Sequence, residues 1–119
     1  MVTGDTSAAG AAAEWLSLPE LVEALGEPLG RVRRLLDENH LIASRRHGGG
    51  PKVPAAFVVD GRPLPALRGT AFVLHDAGFS DDEVIDWLLT PEDSLGTTPL
   101  EALTAGRKSE VRRIAQALG

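Results

Sequence analysis

The chain has no cysteine and no tyrosine, and a single methionine. Without thiols there is no disulfide, no thiolate metal site and no cysteine nucleophile, a composition that fits a cytoplasmic protein. Aromatic residues are scarce, three Phe and two Trp in 119 residues, so the core must be assembled from Leu, Val, Ile and Ala. No apolar run approaches the ~18 residues that a membrane helix requires. The N-terminus lacks the basic and apolar regions of a secretory leader. Residues 1–13 are small and polar, bury too little apolar surface to order themselves, and read as a flexible tail.

What remains is ordinary for one small domain with room for a second lobe. Acid outweighs base, giving a formal net charge of −5 at pH 7, which taken alone argues against nucleic acid. The distribution reverses that reading. From Arg31 to Lys52 there are six basic residues (Arg31, Arg33, Arg34, Arg45, Arg46 and Lys52) against Asp37 and Glu38, a local +4, and the rest of the chain carries −9. A duplex feels the field of the face it meets, so a basic patch on an acidic protein can still bind phosphates. The bland alternative is a solvated charged face.

Helix signals locate the patch. Ser17 followed by Glu20 is a capping box, and Leu18, Leu21, Val22 and Leu25 form one apolar stripe that Gly26 terminates. A second helix over Leu29–Glu38 follows after a tight turn, burying Leu29, Val32, Leu35 and Leu36 and turning Arg31, Arg33 and Arg34 outward. Two short helices so joined form a helix-turn-helix, whose second helix enters the major groove leading with its N-terminal residues. An ordinary αα-hairpin is the alternative. Leu41–Arg46 and Val53–Val59 read as two strands, the second interrupted by Pro54 and suited to an edge. Between them lies His47-Gly48-Gly49-Gly50-Pro51-Lys52, the tip of a wing. Its glycines allow close approach to a sugar-phosphate chain while Arg45, Arg46 and Lys52 neutralise phosphates. A nucleotide cradle would also use glycines, but no Walker or dinucleotide pattern accompanies them.

Past a turn at Asp60–Pro63, four short helices are expected. The first spans about Ala66–Ala77, with a stripe through Leu67, Ala71, Leu74 and Phe72. The second is opened by a capping box at Ser80–Glu83 and stopped by Pro91. The third is opened by Thr98-Pro99-Leu100-Glu101, and the last covers Lys108–Leu118, burying Val111, Ile114, Ala115 and Leu118. His40, His47 and His75 match no metal spacing, and His75 and Asp76, being adjacent on a helix, point in different directions. No nucleophile elbow is present. Neither catalysis, nor a metal, nor a cofactor is expected.

The order Leu-Pro-Glu-Leu, Leu-Gly, Val-Arg-Arg-Leu-Leu, Arg-Arg and Gly-Gly, followed by Leu74-His75-Asp76-Ala77-Gly78-Phe79-Ser80 and Trp87-Leu88-Leu89-Thr90-Pro91, resembles a small actinobacterial family. Its members are winged helix-turn-helix DNA-binding proteins, and a mycobacterial member is a substrate of a membrane Ser/Thr protein kinase. The resemblance covers residues 15–118. It implies a phosphate-accepting threonine in the tail, here Thr3 or Thr6, whose modification weakens DNA binding through added negative charge. Ser94–Leu103 is also similar to the Gly-x-x-Pro-x-x-x-Leu turn of bacterial antitoxins that carry a toxin-binding domain.

The expected protein is mainly α with a small β-hairpin. A winged helix-turn-helix covers residues 14–62, and a C-terminal helical part over residues 63–119 packs on it as one compact unit. Its expected function is double-stranded DNA binding and transcription regulation in the cytoplasm, associated with the nucleoid. Arg31, Arg33 and Arg34 face the major groove. Arg45, Arg46, Gly48, Gly49, Gly50 and Lys52 form the wing contact. The rival is a protein-interaction module that docks a toxin-like partner or a second copy through the C-terminal helices.

Overall fold

The computed structural model describes residues 14–118; the expected flexible tail, with Thr3 and Thr6, lies outside them. The first element is a two-residue strand β1 (Trp15–Leu16). Ser17 then opens helix α1 (Leu18–Leu25) with the expected capping box: its hydroxyl accepts from the Glu20 amide and its own amide donates to the Glu20 carboxylate at 2.8 Å. Gly26 ends the helix in the left-handed conformation, φ +65°, and its N–H returns to the Val22 carbonyl. Only a residue without a Cβ turns the chain there at no steric cost. Three residues later α2 (Leu29–Asp37) begins, and Asn39 at φ +63° turns the chain out of it. Leu21 and Leu25 of α1 pack with Val32 and Leu35 of α2 in the core.

The wing departs from the expected hairpin. Leu41–Arg46 is not a strand: Leu41 and Ile42 are buried in the core, and only Ser44 pairs, through one antiparallel bridge to Lys52. The expected Val53–Val59 strand is broken. Its first part, β2 (Val53–Pro54), pairs with the N-terminal β1, Trp15 opposite Pro54 and Leu16 opposite Val53. A 3-10 turn over Ala55–Phe57 follows, and β3 (Val58–Val59) then pairs with β4 (Arg62–Pro63). The cause is local. Pro54 cannot donate to a ladder, whereas Asp60 and Gly61, both at positive φ (+53° and +76°), form a two-residue turn that fits a tight hairpin.

Four helices complete the chain: α3 (Leu67–Asp76), α4 (Asp81–Leu89), α5 (Pro99–Thr104) and α6 (Lys108–Ala117). Ser80 and Thr98 cap α4 and α5 through full capping boxes. Helix α3 packs on α6 and α4, and α5 bridges α4 and α6. Arg112 of α6 lies over Gly69 of α3, where a Cβ would collide with its guanidinium. One apolar cluster runs through both parts of the chain, from Leu21 and Val32 through Phe57 and Leu64 to Leu74, Ile85 and Val111. Three residues expected inside stand out of it: Leu29 is 43% exposed, Phe72 72% and Leu118 46%. Phe72 follows the buried Ala71 on α3, so it points about 100° away from that residue's face.

Candidate nucleic-acid interface

Helix α2 carries the interface. Val32 and Leu35 fix its inner face, which leaves Arg31, Arg33 and Arg34 exposed. Arg31 and Arg33 sit in its first half, while Asp37 is its last residue. The helix macrodipole favours the opposite arrangement, acids first and bases last, as α4 shows with Asp81, Asp82 and Glu83 in its first turn. Arg31, in the first turn, is therefore not placed for helix stability, whereas Arg34 lies in the last turn, where a base is favoured. No side chain caps the first turn of α2. Gly30 lies there with nothing within 4 Å of where a Cβ would stand, so the bare backbone is open to close approach.

On one flank of α2, Arg33 shares a concavity with Arg45 and Pro51 from the wing loop, floored by Leu36, Leu41 and Ile42 and bordered by Asp37 and Asp81. The loop itself is shaped by three consecutive glycines at φ +75°, +71° and +92° (Gly48, Gly49, Gly50), a path that residues with a Cβ rarely follow. Lys52 folds back over it and donates from Nζ to the Gly48 carbonyl at 3.0 Å. His47 at the tip packs against Trp15 of β1 with the rings tilted by 45° and their centroids 4.1 Å apart, which ties the loop to the start of the described chain.

Arg46 takes a different direction. Its guanidinium makes a two-pronged contact with Asp86 of α4, at 3.0 and 2.8 Å, and lies 3.5 Å from Asp82. It spans the wing and the C-terminal helices rather than extending outward, and would reach a phosphate only by leaving Asp86. Of the six basic residues picked out in the sequence, Arg31, Arg33, Arg34 and Arg45 are exposed with no carboxylate within 4 Å among the described residues.

On the opposite flank of α2 the structure assembles a second basic concavity that sequence reasoning did not gather. Arg31, Arg62 of β4 and Arg68 of α3 line it together with His40 and Glu27. Arg68 donates from Nε to the Glu38 carbonyl at 2.9 Å, satisfying a carbonyl at the C-terminus of α2. Their spacing in sequence, 31 residues from Arg31 to Arg62, gave no local signal. His75 pairs with Asp81 across the α3–α4 turn at 2.8 Å and not with its neighbour Asp76.

Two family models together cover the chain. Residues 5–58 match the model described as "DNA-binding protein Rv2175c, wHTH domain", and residues 64–119 match "Rv2175c C-terminal domain of unknown function". The chain is 38% identical over 113 residues to the DNA-binding protein Rv2175c of Mycobacterium tuberculosis (strain ATCC 25618 / H37Rv), covering 85% of this chain and 77% of that protein. This chain belongs to the Rv2175c family. The NMR structure of Rv2175c is similar to it with a TM-score of 0.79 and 36% identity, over 90% of this chain and 82% of the other. The winged helix-turn-helix and the C-terminal helices are those of an Rv2175c-family protein. The break between the two matched segments falls at the β3–β4 hairpin.

Proposed function

We propose that this chain binds duplex DNA by placing α2 in the major groove and the wing loop against the adjacent backbone, and that it acts as a transcriptional regulator. The observation that carries this is the set of exposed arginines, Arg31, Arg33 and Arg34, with no carboxylate within 4 Å among the described residues, on the second helix of a winged helix-turn-helix. Arg31, Arg33 and Arg34 supply the groove contacts. Arg45, Lys52 and, once released from Asp86, Arg46 supply the wing contacts, with Gly48, Gly49 and Gly50 keeping the loop bare enough to approach sugar and phosphate. A phosphate on Thr3 or Thr6 would add negative charge to the segment that leads into Trp15, beside the wing.

The test is fluorescence anisotropy of a labelled random-sequence duplex titrated with protein over a series of salt concentrations. Binding that weakens steeply with salt is expected, with a slope of about 0.9 per phosphate neutralised. Arg33→Ala with Arg34→Ala lowers both affinity and slope. Unchanged affinity and slope in that variant sinks the placement of α2, and no binding by the unaltered protein at low salt sinks the DNA reading as a whole.

A second reading, a protein contact through the C-terminal helices, is favoured by the exposure of Phe72 beside Ala77 and Ala115. Sedimentation of the protein and of Phe72→Ser tests it: a self-associating protein that becomes monomeric on this change supports an apolar contact there.

A further inference from the structure

We propose that the cleft lined by Arg31, Arg62 and Arg68 receives a phosphate of the DNA strand on the far side of the major groove from the wing. The proposal rests on the DNA-binding reading above and extends the interface into the C-terminal helices. Residues Arg31 and Arg33, two apart on α2, project about 200° from one another around the helix axis. They therefore occupy opposite flanks, Arg33 beside the wing loop and Arg31 beside the β3–β4 hairpin. A helix about 10–12 Å across fills a major groove about 12 Å wide, so each flank faces one of the two bordering phosphate strands. The wing accounts for one strand. The far cleft is placed for the other.

The cleft has the chemistry for that role. Three arginines line one concavity, and among the described residues none has a carboxylate within 4 Å. Elsewhere in the same protein Arg46 and Arg107 are each held by two contacts to an acid. Glu27 is the one acidic residue on the rim. Bringing like charges together without counter-charge is unfavourable unless an anion joins them. One of the three is also pre-set. The bond from Arg68 Nε to the Glu38 carbonyl fixes that side chain against α2 and leaves its terminal nitrogens for a phosphate. Arg62 stands on a strand anchored by the Asp60-Gly61 turn. A guanidinium presents paired N–H groups that match phosphate oxygens, so ordering it in advance lowers the entropy lost on binding.

Arg62→Gln with Arg68→Gln tests the assignment by the same salt-dependent anisotropy, with circular dichroism to confirm the fold. Loss of the contact to that phosphate lowers the slope by about 0.9, the value for one phosphate. Arg68→Lys, which keeps the charge, retains most of the slope. Should the double variant unfold, Arg62→Gln alone decides, because Arg62 is exposed and makes no side-chain hydrogen bond among the described residues; it lowers affinity and takes part of the slope of about 0.9 that one phosphate supplies. A wild-type slope in these variants, alongside weakened binding by Arg33→Gln with Arg34→Gln, overturns the far-strand contact and leaves duplex binding standing. The proposal is also overturned if inorganic phosphate raises the melting temperature of the unaltered protein but not of the double variant while duplex binding is the same in both, which makes the cleft a site for a free anion. No duplex binding at low salt by the unaltered protein overturns both readings.

Discussion

Phe57 is the largest fully buried side chain, and it stands in the 3-10 turn between β2 and β3, where the winged helix-turn-helix meets the C-terminal helices. Replacing it with Ala removes a whole ring from a packed site, a change that typically costs 3–5 kcal/mol, about 4 here. Against a total stability of about 5–15 kcal/mol for a domain, that is a large share. With a urea m-value of about 1.5 kcal/mol/M, the midpoint should fall by roughly 2.7 M. The chain provides its own probes, since its only two tryptophans are Trp15 in β1 and Trp87 in α4. Trp15→Phe and Trp87→Phe backgrounds each leave one reporter, on opposite sides of Phe57. Because a single apolar cluster joins both parts, both reporters should show one coincident transition, and Phe57→Ala should move them together. If the Trp15 signal shifts while the Trp87 signal keeps its wild-type midpoint, the two parts have separate cores and the reasoning from one cluster is wrong.

Other perturbations follow from the same geometry. Asp86→Asn removes the two-pronged partner of an exposed Arg46 and leaves only Asp82 at 3.5 Å, so stability should change by less than about 1 kcal/mol. Duplex binding should tighten with a steeper salt slope, as anisotropy would read, because the Arg46 guanidinium becomes available beside the wing. Ala66 precedes α3 at φ +73°. A left-handed alanine is strained by about 1–2 kcal/mol, and part of that is offset by the extra freedom glycine has when unfolded, so Ala66→Gly should stabilise by about 0.5–1 kcal/mol in urea unfolding. The carboxylates of Glu101, held down by the Thr97 hydroxyl and the Thr98 amide, and of Glu20, held down by the Ser17 amide, both have lowered pKa values. A depressed folded-state pKa contributes stability above the ordinary glutamate range and loses it as pH falls through the folded value. Melting temperature should therefore drop on acidification, and Glu20→Gln with Glu101→Gln should flatten that drop; an unchanged acid limb would refute the assignment.

The helices were legible because their signals are local. Ser17-Glu20, Ser80-Glu83 and Thr98-Glu101 each lie within one turn, and the apolar stripes between them set helix bounds to within a residue or two. The small sheet was not legible. Its first strand pairs Trp15 with Pro54, and no pattern in a two-residue strand marks so distant a partner. The expectation of a Leu41–Arg46 strand failed because Leu41 and Ile42 are both buried, whereas a half-exposed strand would bury alternate residues. At the candidate site, the arginines of α2 were visible as a charge run. The placement of Arg46 and Arg68 depends on contacts with Asp86 and Glu38, and that of Arg62 on sharing a concavity with Arg31, all 30 or more residues away, and charge counting along the chain cannot find them.

The pairing of β1 with β2 has a consequence for the order in which the protein assembles. Helices α1 and α2 can form from neighbouring residues, but closing Trp15 onto Pro54 brings together residues 39 apart in sequence, and such closures lag behind local contacts. Few bonds hold the junction: two paired positions, the Ala55 amide on the Glu14 carbonyl and the single Ser44–Lys52 bridge. These amides should exchange with solvent earlier than those of α3 and α6. A chain still emerging from synthesis, or one briefly opened by a thermal fluctuation, would carry its arginine helix without a positioned wing. Full grip on a duplex would then be a property of the finished molecule alone.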